Sequence, residues 1–438
     1  MSNALAPEDR PLSSPATGDG LDAAAGLCSR VGIPAADDCA DMAAPSYDRY
    51  KTLLAGQRLP AAFVDLEALE ANARLMLKAA GRMPIRVASK SIRSVAVLRH
   101  ILSLSPQFQG LLCFSAEEAV HLADHGLDDL VVAYPTVQPE AVRAVCAHVQ
   151  RGRRITLMVD SPAQVEQLAA IALHYARPLP VAIDIDMASD FPGVHFGVWR
   201  SALRTREAVL GLWQLIRQYP QLVLDGVMGY EAQLAGVGDN VPGKPVMNAL
   251  MRLFKQRSAP EVFARRAELV AALREAGAPL RFVNAGGTGS LEMSLADRSI
   301  TELAAGSGFY CPVLFDFYRD LRLQPAAFFA LEVSRIAAPD RVTCLGGGYI
   351  GSGAPGPQKL PQPYFPHGLT LDANEGAGEV QTPLILPAGT RLKVGDPVIF
   401  RHAKAGELCE RFNELLLVRG KRIEARVPTY RGEGRCFV

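Results

Sequence analysis

Three short stretches of this sequence hold side chains whose chemistry calls for a site. Pro84-Ile85-Arg86-Val87-Ala88-Ser89-Lys90-Ser91 is a mainly apolar run that ends in a lysine. A primary amine at a strand end can take up a carbonyl as a Schiff base, although a solvated surface lysine is the commoner occupant of such a position. Val283-Asn284-Ala285-Gly286-Gly287-Thr288-Gly289-Ser290 passes from an apolar segment into a glycine-rich turn. Glycines let backbone N–H groups approach a phosphate, and the hydroxyls of Thr288 or Ser290 add donors; taken alone, such a turn is as often only a tight bend. The third stretch, Arg401-His402-Ala403-Lys404-Ala405-Gly406-Glu407-Leu408-Cys409, gathers an imidazole, an ammonium, a carboxylate and a thiol.

Elements that could position these residues are written between Pro60 and Leu323. Short apolar or β-branched runs recur at Ala61 to Val64, Ile85 to Ala88, Leu111 to Phe114, Leu130 to Ala133, Ile155 to Val159, Val181 to Ile185, Leu224 to Met228 and Leu280 to Val283, which gives eight strands. Helical text lies between them. Asp65 can cap Leu66 to Ala80, with Gly81 at its end; Ser115 and Glu118 have capping-box spacing; Asp160-Ser161-Pro162 supplies a cap and a first-turn proline. Alternation of strand and helix predicts a parallel α/β sheet. Eight units suit a closed (β/α)8 TIM-type barrel, with an open doubly wound sheet as the alternative. In a barrel, Lys90 would face the mouth, and the late turn at Gly286 falls where such folds often hold phosphate.

Residues 1–44 read as an N-terminal arm rich in Ala, Pro, Gly, Ser and Asp, 45–323 as the barrel, and 324–438 as a β-rich second domain. Strands of the latter are expected at Phe328 to Ser334, Arg341 to Leu345, Leu392 to Phe400, Glu414 to Val418 and Arg422 to Val427, with a long loop over Gly346 to Gly368.

With these residues in this order, the chain resembles the pyridoxal-phosphate enzymes of the alanine racemase type (fold type III), in particular their D-threonine aldolase and D-serine dehydratase-like branch. The resemblance runs from about Leu59 to the C-terminus. It rests on Pro60 to Asp65, Lys90, Gly229-Tyr230-Glu231-Ala232-Gln233, the Gly286 to Ser290 turn, Glu302-Leu303-Ala304-Ala305-Gly306-Ser307-Gly308-Phe309-Tyr310, and the β-rich tail with His402. It implies that Lys90 holds pyridoxal 5'-phosphate as an aldimine, that Gly286, Gly287 and Thr288 bind the phosphate, and that Tyr310 lies near the same site. Tyr230, Gln233 and Arg281 become candidates for orienting the ring or substrate.

Three departures from that pattern bear on the reaction. Where relatives often carry an arginine before a Gly-Val pair, this chain has His195-Phe196-Gly197-Val198, so His195 is expected to replace it, the competing reading being a structural histidine. Where the metal-dependent lyases of the branch place a cysteine or aspartate two residues after the histidine, this chain has Lys404. An ammonium repels a cation, so no metal is expected, a rebuilt His402, Glu407 and Cys409 site being the alternative. Lys404 could then supply the missing positive charge at a substrate β-hydroxyl, with His402 as acid or base. Asp184 and Asp186 alternate onto one strand face and are costly in a packed core unless paired. Tyr349 could close over the site, while Trp199 and Trp213 read as packing residues.

Composition narrows the function classes. The 438 residues include 46 Lys and Arg against 45 Asp and Glu, a net charge of +1 that gives no electrostatic reason for a nucleic-acid or anionic-membrane partner. No apolar run is long enough to span a bilayer, and Glu8 and Asp9 precede Arg10 without a secretory signal pattern, so a cytoplasmic location is expected. The 8 cysteines contain no C-x-x-C pair. Composition thus leaves small-molecule chemistry, and the resemblance implies an amino-acid substrate and a pyridoxal-phosphate lyase that cleaves or dehydrates a D-β-hydroxy amino acid. The alternatives are an amino-acid racemase and a non-enzymatic cofactor carrier; a homodimer is expected from the resemblance.

Overall fold

The computed structural model describes residues 45–437, and the expected N-terminal arm at 1–44 lies outside them. The first strand, β1 (Ala61–Asp65), is followed by the barrel strands β2 (Ile85–Ala88), β3 (Phe108–Cys113), β4 (Leu130–Val132), β5 (Ile155–Val159) and β6 (Leu179–Asp184). After a small hairpin of β7 (Ser189–Phe191) and β8 (Val194–Phe196) come the remaining barrel strands, β9 (Leu222–Met228), β10 (Phe282–Ala285) and β11 (Glu302–Ala305). They close in the order β10-β11-β2-β3-β4-β5-β6-β9, and every neighbouring pair is parallel. The closed barrel is thus present, and the open sheet is excluded.

The strand count is right but its membership is not. β1 pairs antiparallel with β12 (Ala327–Ala338) and parallel with β18 (Glu414–Arg419), inside the second sheet rather than the barrel. The eighth barrel strand is β11, a four-residue run joined to β10 and β2. The second sheet also contains β13 (Arg341–Leu345), β14 (Gln362–Phe365), β15 (Thr370–Leu371), β16 (Gln381–Ile385), β17 (Pro397–Arg401) and β19 (Arg422–Pro428). β14 falls within the stretch expected to be a structureless loop. Pairing with β17 organises it, and its own Gln-Pro-Tyr-Phe text gives little local signal.

Local chemistry accounts for some of the helix starts, whereas the expected cap before Pro162–Ala172 does not form, Ser161 making no side-chain cap hydrogen bond. The Asp65 carboxylate accepts from the N–H groups of Glu67 and Ala68, capping Leu66–Ala80, which ends at Gly81 in a positive-φ conformation. Ser115 accepts from Glu118 N–H at the start of Ala116–Asp124. Glu118 does not close the expected capping box, because its carboxylate accepts from Phe114 N–H instead, one residue before the cap. A 31-residue helix, Pro245–Glu275, contains Pro260.

The barrel lumen is polar toward one end. On β2, Ile85 and Val87 join the apolar layer beneath the helices, so by alternation Arg86 and Ala88 face inward. Arg86 Nε and Nη2 donate to the Glu302 carboxylate of β11 at 2.7 and 2.8 Å, and Asn284 of β10 donates to the same group. Arg86 is buried and lies over the Phe282 ring. Breaking a buried ion pair strands a charge at a cost of about 3–5 kcal/mol, whereas exchanging both partners for apolar groups is often neutral. Arg86→Met should therefore lower unfolding stability by about 3–5 kcal/mol in denaturant titration, and Arg86→Met combined with Glu302→Leu should recover most of the loss. Equal losses in the single and double variants would contradict this reading.

Candidate active site

Lys90 sits in a single 3-10 turn, Ser89–Ser91, directly after β2. Its backbone is held from several sides. Arg93 Nε donates to the Lys90 carbonyl at 2.9 Å, while Arg93 Nη1 pairs with Glu410. A Cβ on Gly406, whose φ is +84°, would come within 2.0 Å of the Lys90 carbonyl oxygen, so the turn after Lys404 meets the Lys90 turn backbone to backbone. The Tyr310 hydroxyl and the Cys409 thiol both donate to the Ile92 carbonyl.

Lys90 opens into a cavity of about 540 Å³ at the barrel mouth, within the usual size range of small-molecule sites. Of the residues singled out in the sequence, Lys90, His195, Tyr230, Gln233, Gly286, Gly287, Thr288 and Lys404 all line it. Its glycine turn follows β10 and is packed too closely for side chains. A Cβ at Gly287 would stand 2.8 Å from the Ala235 Cβ, and one at Gly289 would stand 2.3 Å from the Ala235 carbonyl oxygen. A buried polar chain braces this turn. Arg266 binds Glu231 and Asp297, Ser294 donates to Glu231 and contacts Ser290, and Ser290 accepts from Gly287 N–H.

A second cavity of about 500 Å³, lined by Arg93, Tyr349, His402 and Glu407 among others, shares Lys90, Lys404 and Ala405 with the first. Lys404 Nζ donates to Ser352 at 2.8 Å and lies 3.8 Å from Glu407. Burial lowers the pKa of Lys404; Glu407 opposes the shift, and the charges of Lys359 and Lys90 reinforce it.

Several expectations are corrected. Tyr310 does not line the large cavity; it is fully buried behind the Lys90 turn, its hydroxyl bound to Ile92 and its ring edge-on to His402. For His402, expected as acid or base, the surroundings favour the unprotonated ring. Only 2% exposed, it has its pKa driven by burial, with help from Arg401, down to about 3, leaving a neutral ring with no regular hydrogen bond to either nitrogen. The alternative metal set also fails to assemble among the described residues: Cys409 is turned to Ile92, Glu407 is engaged by Ser352 and Lys404, and no group containing His402 has converging ligand atoms. Arg281 lies just before β10 at the opposite end of the barrel, bound to Asp225 and Asp129. Tyr349 packs on Phe329 and Phe412 at the second cavity. Trp213 is buried packing as expected, but Trp199 is 88% exposed and stacks on His195 at 3.9 Å.

The sequence reading missed Arg200 and Tyr134. Arg200 Nε donates to Asp184 at 2.6 Å, and its guanidinium lies 4.9 Å from the Tyr134 ring centroid. Asp184 is pushed up to about 7 by burial, against the pull of Arg200. His195, by contrast, is tied through Nδ1 to Asp190 at 2.7 Å. Arg200 thus brings a guanidinium into the cavity that His195 also lines. Lys90 Nζ lies 5.9 Å from the Tyr134 ring. Burial alone would raise the Tyr134 pKa, but the charges of Lys90 and Arg200 outweigh it and hold the phenol below its ordinary value. The signal for Arg200 was the Asp184 and Asp186 pair, which required cations; Asp186 finds Arg204 at 3.2 Å.

A parallel barrel with a lysine at its mouth, joined to a mixed β-sheet that reaches back to that lysine, defines the alanine racemase-like class of fold. The alanine racemase N-terminal domain model matches residues 64–312, and the chain belongs to that family. Among solved structures, the chain is similar to D-threonine aldolase from Filomicrobium marinum, with a TM-score of 0.73 and 18% identity over 86% of this chain and 95% of that one. It is also similar to D-threo-3-hydroxyaspartate dehydratase from Delftia sp. HT23, with a TM-score of 0.67 and 19% identity over 86% and 98%. In sequence it is 27% identical over 251 residues to 3-hydroxy-D-aspartate aldolase of Paracoccus denitrificans. That match spans 57% of this chain and 59% of the relative's length.

Beside the Lys90 turn, the buried Glu118 carboxyl is pushed up to about 7 by burial, with Phe114 N–H, Ser89, Tyr430 and Arg93 pulling the other way. Because the folded pKa exceeds the unfolded one, this group's stabilising contribution is complete below about pH 4.5 and is lost as pH rises through about 7. Glu118→Gln removes the titration. Relative to wild type, the variant should gain on the order of 3 kcal/mol between about pH 4.5 and about pH 7.5 in denaturant titrations. A pH-independent difference would contradict the assignment.

Proposed function

We propose that the chain is a pyridoxal-5'-phosphate-dependent lyase acting on a D-β-hydroxy amino acid. The observation that carries this reading is the sharing of one mouth cavity by the Lys90 amine and the close-packed Gly286 to Gly289 turn. The residues present fit such a cofactor: a primary amine for its aldehyde, and a glycine turn without room for side chains, with a threonine hydroxyl, for its phosphate. Lys90 would hold the aldehyde carbon, and Gly286, Gly287 and Thr288 the phosphate. Bound there, pyridoxal phosphate supplies an electron sink for the pair released when a bond at the substrate Cα breaks.

The remaining work falls to side chains of this protein. Arg200, fixed by Asp184, presents a guanidinium that can orient an anionic group, and Tyr134 places a phenol of lowered pKa beside Lys90. The β-hydroxyl is assigned to Lys404. Lys404 stands at the junction of the two cavities with its pKa lowered; as an ammonium it can stabilise a developing alkoxide, and as the neutral amine, which the lowered pKa favours, it can accept the hydroxyl proton. His402, neutral and enclosed, acts by packing behind that position. The names of the similar proteins, two aldolases and a dehydratase of D-configured hydroxy amino acids, favour a lyase over a racemase.

The test is turnover of D- and L-β-hydroxy amino acids in the presence of added pyridoxal phosphate. The D-isomers should release an aldehyde with an amino acid, or ammonia with a 2-oxo acid. Lys404→Met should lower kcat by about 100-fold or more, the usual range for losing a positioned acid or base, while cofactor absorbance at Lys90 is retained. Racemisation of alanine without cleavage or deamination of any D-β-hydroxy substrate would refute the proposal.

A further inference from the structure

Away from both cavities, the C-terminal segment crosses the end of the helix Ala116–Asp124, where two histidines and a glutamate converge. His121 and His125 are four residues apart, which puts them on one helix face, and their ring centroids lie 4.4 Å apart. Glu433 arrives from the tail. Its Oε2 is 2.9 Å from His121 Nε2, and its Oε1 is 3.8 Å from His125 Nε2. One ligand atom from each of the three residues lies within 4.8 Å of the others, the one such group among the described residues.

The tautomer of His125 is fixed by the backbone. Its Nδ1 stands 2.8 Å from the His121 carbonyl oxygen, which can only accept. An unprotonated ring therefore carries its proton on Nδ1 and has its Nε2 lone pair on the Glu433 side. A backbone carbonyl that orients the second nitrogen in this way is the outer support that metal-bound imidazoles ordinarily have. Glu433 is held in place by its own N–H, which donates to the carbonyls of Thr429 and Tyr430. His121 is buried against the rings of Tyr430 and Phe437, whereas His125 and Glu433 remain partly exposed to solvent.

We infer that His121, His125 and Glu433 form a binding site for a zinc-class divalent cation. Two imidazole nitrogens and one carboxylate oxygen with an open fourth position make a zinc-type donor set; calcium and magnesium prefer all-oxygen ligands. The site is a clasp, not a catalytic centre. It ties the tail to the helix at a point from which Tyr430 donates to Glu118, and Glu118 accepts from Phe114 N–H on the wall of the main cavity.

Full-length protein stripped of metal with a chelator and titrated calorimetrically with zinc chloride tests the site. One equivalent per chain should bind, and both His125→Ala and Glu433→Gln should weaken that equivalent by at least about 10-fold. Zinc should also slow tryptic cleavage after Arg431 and Arg435 in the wild type but not in the variants. Both substituted side chains are partly exposed, and formation of the cofactor band at Lys90 provides a separate check that each variant is folded. No saturable zinc binding, or binding of unchanged affinity in both variants, would overturn the inference.

Discussion

The buried ion pair between Arg86 and Glu302 sets the register on which the rest of the site depends. It joins β2 to β11 inside the barrel, fixing which β2 side chains face the lumen. A one-residue slip would turn Arg86 into the apolar helix layer and leave two charges unpaired. With Arg86 inward, Ala88 follows on the same face, and the turn that begins at Ser89 delivers Lys90 to the mouth. Asn284 donates to the same Glu302, so β10 and its glycine turn are referred to the same carboxylate. The amine and the proposed phosphate cradle are therefore placed relative to each other by one polar cluster.

The second domain completes the site by close approach of backbones. Gly406 lies against the Lys90 carbonyl in a conformation that few other residues adopt, and Gly306 packs on Ala88 from the β11 side. Lys90 is thus held between a turn of the barrel and a turn of the β-sheet domain. The same approach brings Lys404 to the boundary of the two cavities, where burial and nearby lysines depress its pKa. Positive charge at that point is a property of the assembled fold, as Ser352 and Lys359 reach it from the Gly- and Pro-rich stretch after β13.

Much of this was legible locally because local chemistry decided it. Asp65, Ser115 and Gly81 mark helix ends by the same hydrogen bonds and backbone angles in any fold, and Lys90 follows a short, mainly apolar run of the kind that forms a buried strand. What the sequence could not assign was set by distant partners. The text of β1 is as apolar as a barrel strand, but its neighbours are β12 and β18, more than 260 residues away at the nearest register pair. β11 is four residues long and merges with glycines, so its identity rests on pairing with β2 and β10. Asp184 required a cation, yet only the chain path beyond the β7–β8 hairpin brings Arg200 to it. His402 looked reactive by type; its enclosure, invisible in sequence, makes it neutral.

The account stands or falls on the chemistry of one amine. Borohydride reduction of the full-length protein after addition of pyridoxal phosphate, followed by peptide mass mapping, addresses it directly. The account predicts a visible absorption band that disappears on reduction and a pyridoxyl mass on Lys90, with neither in Lys90→Ala. Absence of the band, or a label carried by a different lysine, would contradict it.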